Sequence, residues 1–470
     1  MKSWLLRIGD TLSASYWFVP TIMAFAAVVL AVLMIVIDGY AGSAWIERVG
    51  WLYAAHPNGA RQMLSSIGGS MITVAGTVFS VTIAAVVYAS GQYGPRLLTN
   101  FMRDRGNQVT LGTFIATFLY CLVVLRTIRS AEESGGYSFV PNLALLVAVV
   151  LAICSIAVLI FFIHHVPSKI HINSVIEDIG ERLIKEIGNR FPRFIGDARP
   201  EDARQALSTA VPEPFRPDAS AAEPERSLRI VAEQTGYIEL VDGTALIEQA
   251  RKHDLVLRLQ YQAGDFTHVG RTLVEAWPPE CCDEDARVAI RNAFSVGARR
   301  TALQDLRFLI DELVEIAARA LSPGVNDPFT AVTCMDWIGA ALCDLAKRDL
   351  PSHLRVDKDG ALRVIAHPET FETFMARSFG ALAQYSAGDM VAALRFLDTL
   401  AEIALECDDP DRVATVAHYV DVLEGLAEPA LSGFNLQRVK KSVDTVRRAL
   451  TEPDYKRRLR AATGSVGGTA

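Results

Sequence analysis

Catalytic signatures are what this sequence most plainly lacks. It contains no Walker P-loop, no GxGxxG after a strand, no HExxH and no GxSxG. Phosphate-loop, dinucleotide-dependent, zinc-peptidase and serine-hydrolase chemistries therefore have no recognisable foothold, and the expectation is a protein that is not an enzyme. Cysteine is sparse and unpaired in pattern: Cys121, Cys154, Cys281, Cys282, Cys334, Cys343 and Cys407 form no CxxC and no even framework. They read as reduced thiols acting as small buried apolar groups. Cys281 and Cys282 are adjacent but have no His or Cys at ligand spacing, so no metal and no cofactor are expected. An excess of positive charge is missing too. A net charge of −7 argues against nucleic acid, which needs clustered Lys and Arg against phosphate.

Charge is absent from the middle of four long stretches, about 17–37, 67–89, 109–126 and 143–163. Each is long and apolar enough to cross about 30 Å of hydrocarbon as a helix, which makes the lipid bilayer the first expected partner. The first lacks the short apolar region and cleavage site of a secretory signal and is expected to stay attached. The flanks set orientation. Lys2, Arg7, Arg96, Arg103, Arg105, Lys169, Arg182 and Lys185 fall on one side, against Arg48, Arg61, Arg126 and Arg129 on the other. Basic residues favour the inside, so both termini are expected in the cytoplasm. Trp17, Trp45, Trp51, Tyr53 and Tyr88 stand near the span ends as interfacial aromatics.

Span two carries a stripe of small and hydroxyl residues at helical spacing: Gly69, Thr73, Gly76, Thr77, Ser80 and Ala84. Such a stripe serves either close helix packing or the lining of a pathway, where small size leaves room and hydroxyls meet water or an ion. Thr113 and Thr117 on span three add a second pair. With no ionisable group inside the spans, selectivity would fall to hydroxyls, carbonyls, pore width or charge at the mouth. Gly91 to Pro95 form a break as the span ends. Pro95, Arg96, Arg103 and Arg105 then mark a cytoplasmic mouth that would favour anions. His164 and His165 at the end of span four read as interface anchors or as a pH-sensing pair.

Pro167 is expected to end span four. A connecting amphipathic helix follows within 167–195, in which Ile172, Ile176, Ile179, Leu183 and Ile187 form a seam for self-association or for packing on its own domain. Residues 196–227 are rich in Pro, Ala and charge and read as a linker. Strand composition marks 228–234, 236–242, 255–261 and 271–277, with a helix near 244–253, giving a small β unit over 228–278. The run GDFTHVGRTL is similar to lipoyl-type β-barrels, but no modifiable Lys stands at its turn. From 279 to 462 the pattern is mostly helical, with a hairpin at 353–366 turning at Asp359 and Gly360, breaks at Gly388, Asp409–Pro410 and Pro429, and a disordered tail over 463–470.

Within 298–342, Ser322, Pro323 and Gly324 stop one helix, while Asp327 and Pro328 fit N-cap and N1 of the next. Arg299, Arg300, Asp305, Asp311, Glu312, Glu315 and Arg319 decorate the first helix. They form either a ligand or interface site with Ser322, Asn326 and Asp327, for an ion or small polar ligand, or a solvated face of helix-spaced ion pairs.

FSVTIAAVVYASGQYGPRLLTNF (79–101), GYIELVD (236–242), and RRTALQD with RALSPGVNDPFTA (299–305 and 319–331) together resemble a family of predicted bacterial inner-membrane proteins catalogued only as a domain of unknown function (2254). The resemblance covers about 1–430 and implies a plasma-membrane location and a four-span layout, but no activity. The expected architecture is a four-helix transmembrane bundle over 1–166 followed by an α+β cytoplasmic domain. The leading functional expectation is a homo-oligomeric channel-like or transport protein gated by that domain; the alternative is a membrane-anchored sensor or scaffold.

Overall fold

The computed structural model describes residues 17–41, 56–93, 104–130, 139–191, 208–216, 227–367, 369–452 and 454–456. Two compact units divide the chain, one over Trp4–Val175 and one from Ile176 onward. Pro95, Arg96, Arg103 and the tail 463–470 lie outside the described residues, as does most of 196–227.

The N-terminal unit consists of α1 (Phe18–Ala41), α2 (Pro57–Tyr93), α3 (Arg105–Thr127) and α4 (Asn142–Ile170). Each runs past the C-terminal end of its apolar stretch. α2, at 37 residues, is the longest, and at 1.5 Å per residue it extends roughly 55 Å, well beyond the hydrocarbon thickness. It continues through Gly91 to Tyr93, so the glycine does not break it. α3 forms the centre, with Phe114, Tyr120, Cys121 and Val124 buried. Small residues allow close approach there: a side chain at Gly112 would run into Met23 of α1, and Gly68 of α2 rests on Cys121. Polar ties fix the register of the bundle. Tyr120 Oη donates to the Ala144 carbonyl at 3.0 Å, and the Thr117 and Ser155 hydroxyls pair at 3.0 Å.

α4 does not stop at Pro167. It runs on to Ile170, because a proline removes only one amide from the ladder, and the Ser168 hydroxyl donates to the His164 carbonyl at 3.0 Å. The break falls at His171, after which α5 (Ile172–Arg190) begins.

In the C-terminal unit the seam of α5 is consumed internally: Ile176, Ile179, Leu183 and Ile187 are all buried. Gly180 lies so close to Trp337 that a side chain there would enter the indole ring. The strands are β1 (Leu228–Val231), β2 (Gly236–Val241), β3 (Val256–Leu259), β4 (Phe266–Thr267), β5 (Thr272–Trp277), β6 (Phe294–Gly297), β7 (Leu354–Val356) and β8 (Leu362–Ile365). They form a five-stranded sheet, β1-β5-β3-β8-β7, and a three-stranded sheet, β4-β2-β6. All pairings are antiparallel except β3 with β8. The sheets therefore cross the expected division at 278/279, since β6 pairs with β2 and the 353–366 hairpin joins β3. α6 (Gly243–Lys252) and α7 (Glu284–Asn292) cover the β core through Leu246, Ala250, Ala286 and Ile290.

Part of the segment read as linker is packed. A 3₁₀ turn at Glu213–Phe215 buries Phe215, with the Arg258 guanidinium 4.7 Å from its ring centre.

The remaining helices are α8 (Leu306–Ala320), α9 (Pro328–Ala346), α10 (Phe371–Met375), a π turn at Ala376–Gly380, α11 (Ala381–Ser386), α12 (Met390–Glu406), α13 (Pro410–Ala430) and α14 (Gly433–Thr451). Pro429 sits inside the last turn of α13 rather than dividing two helices. By length and composition five described helices could cross a membrane, α1 to α4 and also α9. Of α9's apolar window 56% is buried inside the protein, against 17% for α1 and for α4, 28% for α2 and 44% for the central α3, and Cys334, Met335, Ile338 and Leu345 have no exposure at all. Its apolar character is accounted for by core packing against α8 and α12.

Candidate functional site

The two faces of α2 differ in kind. Ala60, Leu64, Gly68, Ala75, Val78, Thr82 and Val86 are buried against the bundle. Gly69, Thr73, Gly76, Thr77, Ser80 and Ala84 are exposed, and at 100° per residue this stripe is centred about 180° from the buried face. Gln62, Ser65 and Ser66, one to two turns earlier, continue it and are exposed as well. The three hydroxyls are internally satisfied: Thr73 donates to the Gly69 carbonyl at 2.9 Å, Thr77 to Thr73 at 3.1 Å and Ser80 to Gly76 at 2.9 Å. Nothing approaches within 4 Å of where a Cβ would stand at Gly69 or Gly76. The stripe thus lies off the packed face of α2, although Thr73 and Thr77 also edge a groove lined by Leu159, Phe162, Ile163 and Val166 of α4. The outward positions of α1 and α4 are apolar, including Phe25, Val29, Leu33, Ile153, Ile156 and Ile160, and α2 also exposes Ile72, Phe79, Val81, Ile83 and Val87 around its small polar stripe.

Of the expected mouth residues, Arg105 is described, at the first position of α3 and exposed. Beside it lies a polar group that the apolar pattern did not reveal. Asp104 accepts from the Gly106 amide at 2.9 Å and faces His165 Nε2 at 2.7 Å. His165 thus has a specific partner, while its ring also stacks on Phe161 with centroids 4.8 Å apart. Asn107 and Gln108 are buried one turn into α3, and the Asn107 amide has no hydrogen-bond partner among the described residues. Thr113, expected to add a second hydroxyl stripe, donates to the Val109 carbonyl, whereas Thr117 is buried against Ser155.

In the C-terminal unit the residues of RRTALQD acquire distinct roles. Arg300 donates to Asp305 at 3.0 Å and to Asp311 at 2.6 Å. Arg377 from the π turn reaches the same Asp311 at 2.7 and 2.8 Å. Arg307 completes the chain, donating to Asp305 and Asp265 at 3.2 Å each and to the Ala263 carbonyl at 2.7 Å. Asp305 stands at the N-cap of α8, yet its carboxylate goes to the two arginines instead of the helix amides. Only 1% of its side chain is exposed, so this is a buried network joining distant segments and not a solvated face of helix-spaced pairs. Burial opposes ionisation of Asp311, but the Arg377 and Arg300 hydrogen bonds outweigh it and hold the carboxyl below its ordinary value. Gln304 turns to strand β2, accepting from the Val241 amide at 2.7 Å and donating to its carbonyl at 3.1 Å. Arg299 is exposed and takes no part in the network.

The SPGVNDPFTA run is a helix–turn–helix joint. The Ser322 hydroxyl donates to the Arg319 carbonyl at 2.6 Å, Asn326 adopts a left-handed φ of 50°, and Asp327 caps α9 through the Thr330 amide at 3.2 Å and hydroxyl at 2.6 Å. Pro328 occupies the first turn, where its missing amide costs nothing. The structure does not bring the two expected groups together. Arg300 and Asp305 precede α8 and Ser322 to Asp327 follow it, and its 15 residues separate them by roughly 22 Å.

With this geometry in view, comparison places the chain among relatives. A family model described as "Predicted membrane protein (DUF2254)" matches residues 13–402. The uncharacterized protein Rv1290c of Mycobacterium tuberculosis is 29% identical over 413 residues, covering 87% of this chain and 75% of the relative. The uncharacterized protein Mb1321c of Mycobacterium bovis gives the same figures. No solved structure matches the chain. The family match spans most of the described residues of both units, and the chain belongs to this family of predicted membrane proteins.

Proposed function

We propose that α1 to α4 are four membrane spans of an inner-membrane protein, that both termini face the cytoplasm, and that several copies assemble so that the outward face of α2 lines a shared pathway for an ion or small solute. The observation that carries this reading is the polarity of that face. Gln62, Ser65, Ser66, Thr73, Thr77 and Ser80 are all exposed, on the side of α2 opposite its buried face. A hydroxyl bonded to its own helix tolerates lipid, but a long stripe of small polar residues gains most where another helix or water covers it. The interior of the pathway would carry no ionisable group, so hydroxyls and width would select the solute, and Arg105 would stand at one end. The C-terminal unit would gate it.

The seam of α5 contributes nothing to assembly in this reading, because its apolar residues are buried in their own unit. Association rests on α2 alone. The test is flux of anions and cations into liposomes carrying the full-length protein, beside Gly76→Phe. Flux abolished by the substitution in a folded protein supports the pathway; equal flux in both removes α2 from it.

A second reading, a membrane-anchored sensor or scaffold, is favoured by a polar cleft in the C-terminal unit. That cleft has a chemistry of its own.

A further inference from the structure

The cleft has a volume of about 400 Å³ and is partly open to solvent. Its walls come from the end of α5 at Arg190, from Leu303 to Arg307, from Tyr261 beyond β3, from Arg355 of β7, and from the chain leaving β8, where Glu369 stands. All of these belong to the C-terminal unit. The volume suits a ligand at the small end of the range for protein pockets, which is roughly 300–1,000 Å³.

The charged groups of the cleft are not equivalent. Arg190 is committed: it donates to the carbonyls of Gln304 and Leu303, the latter at 3.0 Å, and to Glu186 at 3.3 Å. Arg307 is committed to Asp305, Asp265 and the Ala263 carbonyl, as described above. Asp305 is taken up by Arg300 and Arg307. Two groups remain. Neither the Glu369 carboxylate nor the Arg355 guanidinium has a hydrogen bond or ion-pair partner among the described residues. Burial raises the proton affinity of Glu369 although Arg190, Arg307 and Arg355 all act on it in the opposite direction. Glu369 is thus a partly buried carboxyl that three arginine fields favour as the anion but that no hydrogen bond among the described residues holds.

We propose that the cleft binds a small zwitterion of amino-acid type, with its ammonium group on Glu369 and its carboxylate on Arg355. Charge complementarity favours such a ligand. A purely anionic ligand reaching Arg355 would also meet Glu369 and Glu186, while a purely cationic one reaching Glu369 would meet Arg355 and the fields of Arg190 and Arg307. A ligand with both charges pairs each lone group at once. The guanidinium offers a planar fork suited to a carboxylate, and a charge-assisted bond to Glu369 restores the pairing that burial demands. Leu259, Leu303, Pro351 and Tyr261 supply apolar wall for the ligand's side chain. The inference stands apart from the α2 pathway and holds whether or not solute crosses there.

The experiment is calorimetric titration of the full-length protein in detergent with individual proteinogenic L-amino acids, with inorganic phosphate and putrescine as singly signed controls. Glu369→Gln and Arg355→Gln are titrated in parallel after thermal unfolding has verified that each is folded; Arg355 is exposed at the rim, so its substitution leaves the core intact. The expected result is saturable binding of one or a few amino acids, absent with phosphate and putrescine, and weakened at least about tenfold by either substitution. Three results would overturn the proposal: no binding of any amino acid at millimolar concentration, binding of phosphate or putrescine instead, or amino-acid binding that both substitutions leave unchanged.

Discussion

Asp38, near the end of α1, caps α4: its carboxylate accepts from the Leu143 amide at 3.0 Å and from the Ala144 amide at 2.9 Å. The first turn of a helix carries amides without intrahelical partners, and a negative charge there also suits the helix dipole. Here the cap is supplied by a different helix, so the bond holds α1 and α4 in register as well as satisfying two donors. Asp38→Ala should lower stability by about 1 to 2 kcal/mol, and Asp38→Asn by less because one acceptor is kept. Thermal unfolding of the full-length protein in detergent measures both.

Gly180 of α5 lies against the indole of Trp337 of α9 and leaves no room for a Cβ. A side chain at that point can be accommodated only by moving the indole, and overpacking of this kind costs about 1 to 3 kcal/mol. Gly180→Leu should therefore lower the unfolding temperature, while Glu181→Leu on the exposed face beside it should leave the temperature near that of the parent.

Gln304 supplies the pair of bonds to Val241 that a neighbouring strand would otherwise give. Gln304→Ala leaves a strand amide and carbonyl without that partner, at a cost of about 1 to 2 kcal/mol. Hydrogen exchange should report it locally, as faster exchange at Val241 with the rest of the unit little changed.

Asp311 joins Arg300, 11 residues before it, to Arg377, 66 residues after it. Its folded pKa is depressed, so the stability it contributes is fully present above the unfolded carboxylate value of about 3.9 and is lost as pH falls through the lower folded value. Asp311→Asn should cost about 3 kcal/mol at neutral pH, since it leaves two arginines short of a partner. The difference between parent and variant should shrink as the solution is acidified below about pH 4. Denaturant unfolding at several pH values tests the sign; a gap that widens on acidification would contradict it.

The parts of this fold legible in the sequence are those set by local pattern. Four uninterrupted apolar runs marked α1 to α4, alternation marked β1, β2, β3 and β5, and Asp327 with Pro328 marked the start of α9. What the pattern could not supply depends on partners far along the chain. β6 is four residues long and sits between helices, so only its pairing with β2 identifies it. Arg300 and Asp311 could be read locally as a solvated face because the segments that bury them, the one carrying Arg377 among them, lie elsewhere. The stripe on α2 was visible as periodicity, but whether it faces its own bundle or away from it is a property of the three neighbouring helices. Gln62, Ser65 and Ser66 carried the same spacing and were missed because they precede the apolar run. Arg355 and Glu369 gave no signal at all, since an unpaired charge is recognised only once every other partner is assigned.

The central claim is that the outward face of α2 meets water. The most direct measurement is thiol accessibility in the intact membrane, using a protein in which all seven cysteines are replaced and single cysteines are then introduced by Thr73→Cys, Thr77→Cys and Ser80→Cys. Restoring Cys154 alone provides the reference expected to face lipid, because it lies exposed on α4 among apolar residues. A membrane-impermeant, water-soluble thiol reagent is expected to modify the three α2 positions and to leave Cys154 unmodified. If the α2 positions are as unreactive as Cys154, the face lies against lipid or another helix and lines no pathway.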